Sequence, residues 1–328
     1  MTPVLSVLDL AMVGKNETNR EALDAAVVQA QRAEQLGYHR VWYAEHHNMK
    51  AIASSATSVL IAHVAAHTRS IRLGSGGVML PNHAPLTIAE QFGTLATLHP
   101  DRIDLGLGRA PGTDQNTLRA LRRDANSADS FPQDVQELQA FLGERSAIPG
   151  VEAVPGKGTN VPLYILGSSL FGAQLAAMLG LPYAFASHFS PDALEQAVAV
   201  YREKFQPSDQ LAEPHVIAGV NVLAAESEEE AQEQFTVVKR QRVRLLVGRG
   251  RNFTDAEADA ILDSPQGGQL KNMVRYSAVG TAEQTKRYLD EFATHADADE
   301  LITAHQGPTP KDRIRSMELL AEATGLGG

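Results

Sequence analysis

The 328-residue chain contains no cysteine, which excludes disulfides, thiolate nucleophiles, iron–sulfur clusters and cysteine-ligated zinc. Any chemistry it performs uses other groups. Long apolar runs are also missing. Nothing approaches the roughly 20 consecutive apolar residues that cross a bilayer, so no membrane role is expected, although hydrophobic residues at 43% of the chain are enough to fill a core. Basic charge is in deficit, with 29 Lys and Arg against 39 Asp and Glu and a net charge of −10. That balance argues against a nucleic-acid partner, which needs a basic footprint. The one locally basic run, 239–251, alternates with Val243, Leu245, Leu246 and Val247 and reads as a helix with a solvated charged face. The amino-terminal residues enter a strand without a basic region or cleavage site, so a cytoplasmic location is expected.

What the chain does contain is a repeated alternation of apolar strand and amphipathic helix, centred on residues 71–112. A strand over 71–80 carries Gly76 and Gly77 side by side, where glycine weakens a strand unless another body approaches the backbone closely. A helix opens near Pro85 with Leu86, Ala89, Phe92 and Ala96 at helical spacing. A second apolar strand, 101–108, then ends in Arg109 and the turn Ala110-Pro111-Gly112. Residues 4–10, 39–44, 163–166, 183–186, 215–224 and 300–304 read as six further strands. Capping spacings at Thr18, Thr254, Thr281 and Thr309 open helices, as does Ser190-Pro191. Residues 113–130 and 148–162 read as loops, and 249–276 as a polar insertion holding one short helix. Eight strands alternating with helices in one unbroken series predict a single α/β domain over 1–328, a (β/α)8 TIM barrel with an insertion late in the chain.

In such a barrel the carboxyl ends of the strands converge on one face. Those ends carry Asp9, then Glu45, His46 and His47, then Arg109, then Ser168 and Ser169, then His188. Gly167-Ser168-Ser169 at a helix start offers backbone N–H groups and hydroxyls to an anion, with Arg109 supplying the charge; the same residues also serve as an ordinary helix cap. Adjacent residues of extended chain point to opposite sides, so His46 and His47 do not readily share one ion, and no metal is expected. One imidazole can still act as an acid or base near neutral pH, or simply be a hydrogen-bonded structural group. Gly106-Leu107-Gly108 is next followed by Gly112, which breaks the dinucleotide fingerprint and leaves no nicotinamide site in view.

The segments AEHHN (44–48), GSGGVMLPNHAPLTIAEQFGTLATLHP (74–100), RIDLGLGRAPG (102–112) and LGSSLFGAQLAAMLGLPYAFASHFSP (166–191) together resemble the bacterial luciferase-like flavin monooxygenase family. The likeness is strongest over 4–191 and 276–321, while the insertion has no counterpart. The resemblance implies a (β/α)8 barrel whose flavin ring lies against a bulge in the third strand, with a non-proline cis peptide that would fall on Gly76-Gly77. It implies that Arg109, Ser168 and Ser169 hold the flavin phosphate, with Asp9 counted among the cofactor-binding residues, and that His46 is the catalytic residue beside the reactive flavin carbon. Reduced FMN and O₂ are the implied cofactor and co-substrate, acting on a small organic substrate, with a separate flavin reductase as partner and a homodimer as the assembly. Residues 249–276 are expected to be a lid or a structural insertion. Asp101 stands where the family often has glycine, which an aspartate tolerates. Because the family also contains F420-dependent reductases and flavin binders without known chemistry, a reductase and a carrier or storage protein stand as alternatives. A metal-dependent barrel hydrolase is a third.

Overall fold

The computed structural model describes residues 3–14, 16–110, 114–247 and 253–327. The turn residues Pro111 and Gly112 and the first residues of the insertion, 249–252, lie outside them. Nine strands are present among the described residues: β1 (Val4–Asp9), β2 (Arg40–Tyr43), β3 (Arg72–Met79), β4 (Ile103–Gly108), β5 (Leu163–Gly167), β6 (Tyr183–Phe185), β7 (Val216–Ala224), β8 (Ser277–Gly280) and β9 (Glu300–His305). All but β8 close a parallel ring in the order β1 to β7 and then β9, which returns to β1 through Val4↔Glu300 to Val7↔Thr303. The eight strands expected from the apolar runs are these eight. Among the described residues twelve α-helices accompany them: α1 (Asn19–Leu36), α2 (Thr57–Ala65), α3 (Pro85–Leu98), α4 (Gln115–Ala120), α5 (Phe131–Leu142), α6 (Leu170–Leu179), α7 (Leu194–Lys204), α8 (Glu228–Leu246), α9 (Asp255–Leu262), α10 (Pro265–Met273), α11 (Ala282–His295) and α12 (Pro310–Thr324). The fold is a (β/α)8 barrel.

The local signals hold where they rest on backbone chemistry. Thr18, Thr254, Thr281 and Thr309 each form a reciprocal capping box with the residue three positions on. Asp101 adopts a left-handed φ of 61°. Four expectations are corrected. Ser190-Pro191 does not cap α7, which starts at Leu194 after an uncapped Ala193; the Ser190 N–H instead closes a turn onto Ala186 O. The expected loop after Arg109 holds α4, capped by Asp114, and a 3₁₀ turn over Ala125–Ala128. The described part of the insertion holds two helices, α9 and α10, rather than one. The basic face of α8 is not simply solvated, because Arg240 pairs with Asp255 and Asp259 and Arg244 pairs with Asp255. The extra strand β8 was not foreseen either. β6 covers β7 only at Val216 to Ala218, and β8 takes up the edge that remains, from Asn221 to Ala224.

The two largest apolar clusters are an outer core between ring and helices and an inner one within the ring. The inner cluster includes Leu8, Trp42, Tyr164, Ile217 and Ile302, with Trp42 and Tyr164 meeting edge to face at 4.9 Å. At the amino-terminal end of the ring lies a buried ionic layer. Arg40 donates to Asp104 at 2.8 Å and to the Tyr164 hydroxyl at 2.7 Å, and pairs with Glu300 at 3.0 Å. Arg72 and Trp42 also donate to Asp104, and Ser6 to Glu300. This layer closes the floor at the amino-terminal end of the ring. None of the described helices is long and apolar enough to cross a membrane.

Candidate functional site

At the mouth, β3 carries the irregularity that the glycine pair suggested. Its register on β4 jumps between Ser75↔Leu105 and Val78↔Leu107, and the Gly76–Gly77 peptide is cis. Close backbone approach requires glycine at 77, and position 76 is tightly enclosed by side chains. A Cβ at Gly77 would lie 2.7 Å from Gly106 O, and one at Gly76 would lie 3.0 Å from Leu8 Cδ1 and Trp42 Cβ. The bodies packed against the bulge from within the chain are thus the β4 backbone and two side chains of the inner core.

Arg109 and the serine turn are brought together. The Arg109 guanidinium lies 4.1 Å over the ring of Phe171, in the first turn of α6, directly after Ser168 and Ser169. Its own partners are weak: a 3.4 Å bond to Ala128 O and an Asp129 carboxylate at 4.0 Å, with 42% of the side chain exposed. Ser169 is the N-cap of α6, yet its hydroxyl makes no capping bond. The turn is held instead by the Tyr183 hydroxyl, which donates to Ser169 O at 3.1 Å. A cation with no strong partner beside an uncommitted cap is an arrangement suited to a phosphate.

Glu45, His46 and His47 follow β2. Glu45 is buried and accepts three hydrogen bonds, from His47 Nε2 at 2.7 Å, His83 Nε2 at 2.8 Å and the Met79 N–H at 3.1 Å. Burial pushes its carboxyl upward, but the two histidine bonds outweigh this and hold the pKa down to about 2. The cluster ties the end of β2 to the residue that leaves the β3 bulge. Its three ligand-type atoms lie within 4.8 Å of one another, joined through the Glu45 carboxylate. His46 points elsewhere. Its Nδ1 is buried with no hydrogen-bond partner among the described residues, and burial lowers its pKa, so the ring is neutral near pH 7. His188, after β6, is within electrostatic reach of His46, and its Nδ1 is likewise buried and unpartnered.

Asp9, at the end of β1, shares the strand face of Leu5 and Val7, which pack in the outer core, and is 6% exposed, with one carboxylate oxygen accepting the Ala11 N–H at 2.8 Å. Burial raises its pKa against the pull of Arg313. Reading the sequence missed His83, Phe171, Arg242 and Gln306. His83 and Phe171 follow shortly after strand ends and could have been found by that rule. Arg242 is hidden in a charge run.

The family model of the luciferase-like monooxygenases matches residues 5–305. A luciferase-like monooxygenase of Escherichia coli (strain K12) is 46% identical over 321 residues, covering 97% of this chain and 96% of that protein. The N-acetyl-S-alkylcysteine monooxygenase of Bacillus subtilis (strain 168) is 36% identical over 276 residues, 79% of each chain. The crystal structure of apo-MsnO8 superposes with a TM-score of 0.89 at 36% identity, covering 99% of both chains. The chain belongs to the luciferase-like monooxygenase family, a class of flavin-dependent oxidoreductases.

Proposed function

We propose that this protein is the oxygenase of a two-component system, receiving reduced FMN from a separate reductase and using O₂ to oxygenate a small organic molecule. The observation that carries the reading is the Arg109 guanidinium, which lacks a strong partner, lies over Phe171 and stands next to the uncommitted Ser169 cap. In this reading Arg109, Ser168 and Ser169 grip the phosphate, and Gly76 and Gly77 support the ring. Asp9 fixes the turn after β1 through its bond to the Ala11 N–H. Bound reduced FMN supplies the electrons and the centre at which O₂ is activated. His46 takes or returns a proton at its unpartnered Nδ1, a role its neutral state near pH 7 permits.

The insertion serves as the lid that excludes water. Two features favour this use: α10 packs on α8 and α9 through Val243, Ala258, Leu262 and Leu270, and Asn272 and Arg275 bind Asp192, just beyond the His188 loop. A separate reductase is favoured by the absence of a nicotinamide fingerprint in the sequence. The substrate named for the Bacillus subtilis relative makes small thioethers the first compounds to assay.

Arg109→Ala tests the phosphate seat. Losing a charged hydrogen bond of about 1.5–3 kcal/mol weakens FMN binding roughly 10- to 150-fold, read as the dissociation constant by fluorescence quenching. An unchanged constant removes Arg109 from the site and the proposed flavin pose with it.

A further inference from the structure

A second cation lies beside the carboxyl ends of the strands, three strands round the ring from Arg109. Arg242 lies near the end of α8, the helix that follows β7. Its neighbours on that helix, Arg240 and Arg244, are each neutralised by aspartates of α9. Arg242 has no such partner among the described residues. Its Nη1 is buried and makes no hydrogen bond, and its Nη2 makes only a 3.4 Å bond to Gln306 Oε1, just past the end of β9. Burial lowers its pKa to about 10, which still leaves it charged at neutral pH.

The charge acts on His188, which in turn is within reach of His46. His188 is held firmly: Asn221 Nδ2 donates to its carbonyl at 2.9 Å, and its ring lies against Gly219, where a Cβ would come 2.3 Å from Nδ1. Arg242, His188 and His46 therefore present three buried nitrogens with no partner among the described residues. A half-buried guanidinium left unpaired is costly, because it loses water without gaining an anion. A planar oxyanion with two oxygens matches its fork.

We propose that Arg242, backed by Gln306 and His188, binds a carboxylate of the organic substrate, so that the substrates are small carboxylic acids with an apolar, oxidisable remainder. The anchor holds one end of the molecule at α8 and leaves the other toward His46. This inference rests on the flavin reading above, since both concern one mouth. The cofactor phosphate belongs to Arg109 on the far wall, and the two cations divide the anions between them.

The test is a calorimetric titration of the full-length protein with hexanoate, hexanesulfonate and hexanamide, with and without saturating FMN. Hexanoate is expected to bind at least about tenfold more tightly than the amide. Arg242→Gln abolishes that preference and leaves FMN affinity unchanged, and Arg242→Lys, which keeps the charge but not the fork, retains part of it. Equal binding of hexanoate and hexanamide, or a preference that survives Arg242→Gln, overturns the proposal. A larger effect of Arg242→Gln on FMN than on hexanoate also overturns it, by assigning Arg242 to the cofactor phosphate. Tighter binding of hexanesulfonate than hexanoate replaces the carboxylate with a sulfonate. Failure of the wild type to bind FMN, with the hexanoate preference intact, refutes the flavin reading and leaves the anion subsite standing.

Discussion

Arg40→Met removes the cation at the centre of the barrel floor while keeping most of its volume. Asp104 and Glu300, at 0% and 1% exposure, are then left facing one another, with Arg72 and Trp42 still donating to the first, and Ser6 and His215 to the second. Breaking a buried pair on one side costs about 3–5 kcal/mol because a charge is stranded, and two carboxylates share the loss here. At about 2 °C or somewhat more per kcal/mol for a chain of this size, the melting temperature falls by roughly 6–15 °C.

The pH dependence gives the sharper test. In the native protein burial raises the pKa of Glu300, but His215, Arg40 and Ser6 together bring it below the usual carboxylate value. Without Arg40 its folded pKa rises above the unfolded one, so folding favours the protonated acid. The deficit of the variant is therefore largest near pH 8 and shrinks as the pH falls toward 5. Adding Glu300→Gln recovers part of the loss by removing the stranded charge, whereas Asp104 keeps Arg72 as its partner. Differential scanning calorimetry of the three proteins at both pH values reads all of this. A deficit below about 1 kcal/mol, or one independent of pH, refutes the view that the floor is held by mutual charge compensation.

Gly77→Ala places a methyl group 2.7 Å from Gly106 O, so β3 must part from β4 at the bulge, at a cost of about 1–3 kcal/mol. The melting temperature and the FMN dissociation constant should both worsen, and a variant unchanged in either removes the claim that the close approach shapes the ring support. His188 is held down to about 4 by burial, from 6.5. Its contribution is therefore present above pH 6.5 and is lost as the pH falls from 6.5 toward 4. Wild-type stability should drop by up to about 3 kcal/mol more over that window than in His188→Gln. Parallel stability curves for the two proteins would contradict the buried neutral state.

The parts of the molecule legible in the sequence are those fixed by local chemistry. Strand ends at Asp9, Glu45, Arg109, Ser168 and His188 could be read from apolar runs and their punctuation, and the four threonine caps from their spacing. Gly76 and Gly77 announced a close approach, although the approaching bodies proved to be Leu8, Trp42 and the β4 backbone. What escaped depends on partners far along the chain. Strand β8 exists because the short β6 leaves an edge of β7 open, which no property of residues 277–280 reveals. Glu45 meets His83 across 38 residues, and Arg40 meets Asp104 across 64. Arg242 looked like one more solvated charge on a basic helix, and only the pairing of Arg240 and Arg244 with α9 shows that it is different.

The central claim is that the mouth takes a reduced flavin and lets it react with O₂. An anaerobic titration of the purified protein with reduced FMN, run beside oxidised FMN and F420 and followed by rapid mixing with oxygenated buffer, tests it most directly. Preferential binding of reduced FMN, followed by an oxygen-dependent absorbance transient that outlasts the oxidation of free flavin, is the expected result. Tight binding of F420 or of oxidised FMN without such a transient would contradict the oxygenase reading and make the protein a reductase or a flavin carrier built on the same barrel.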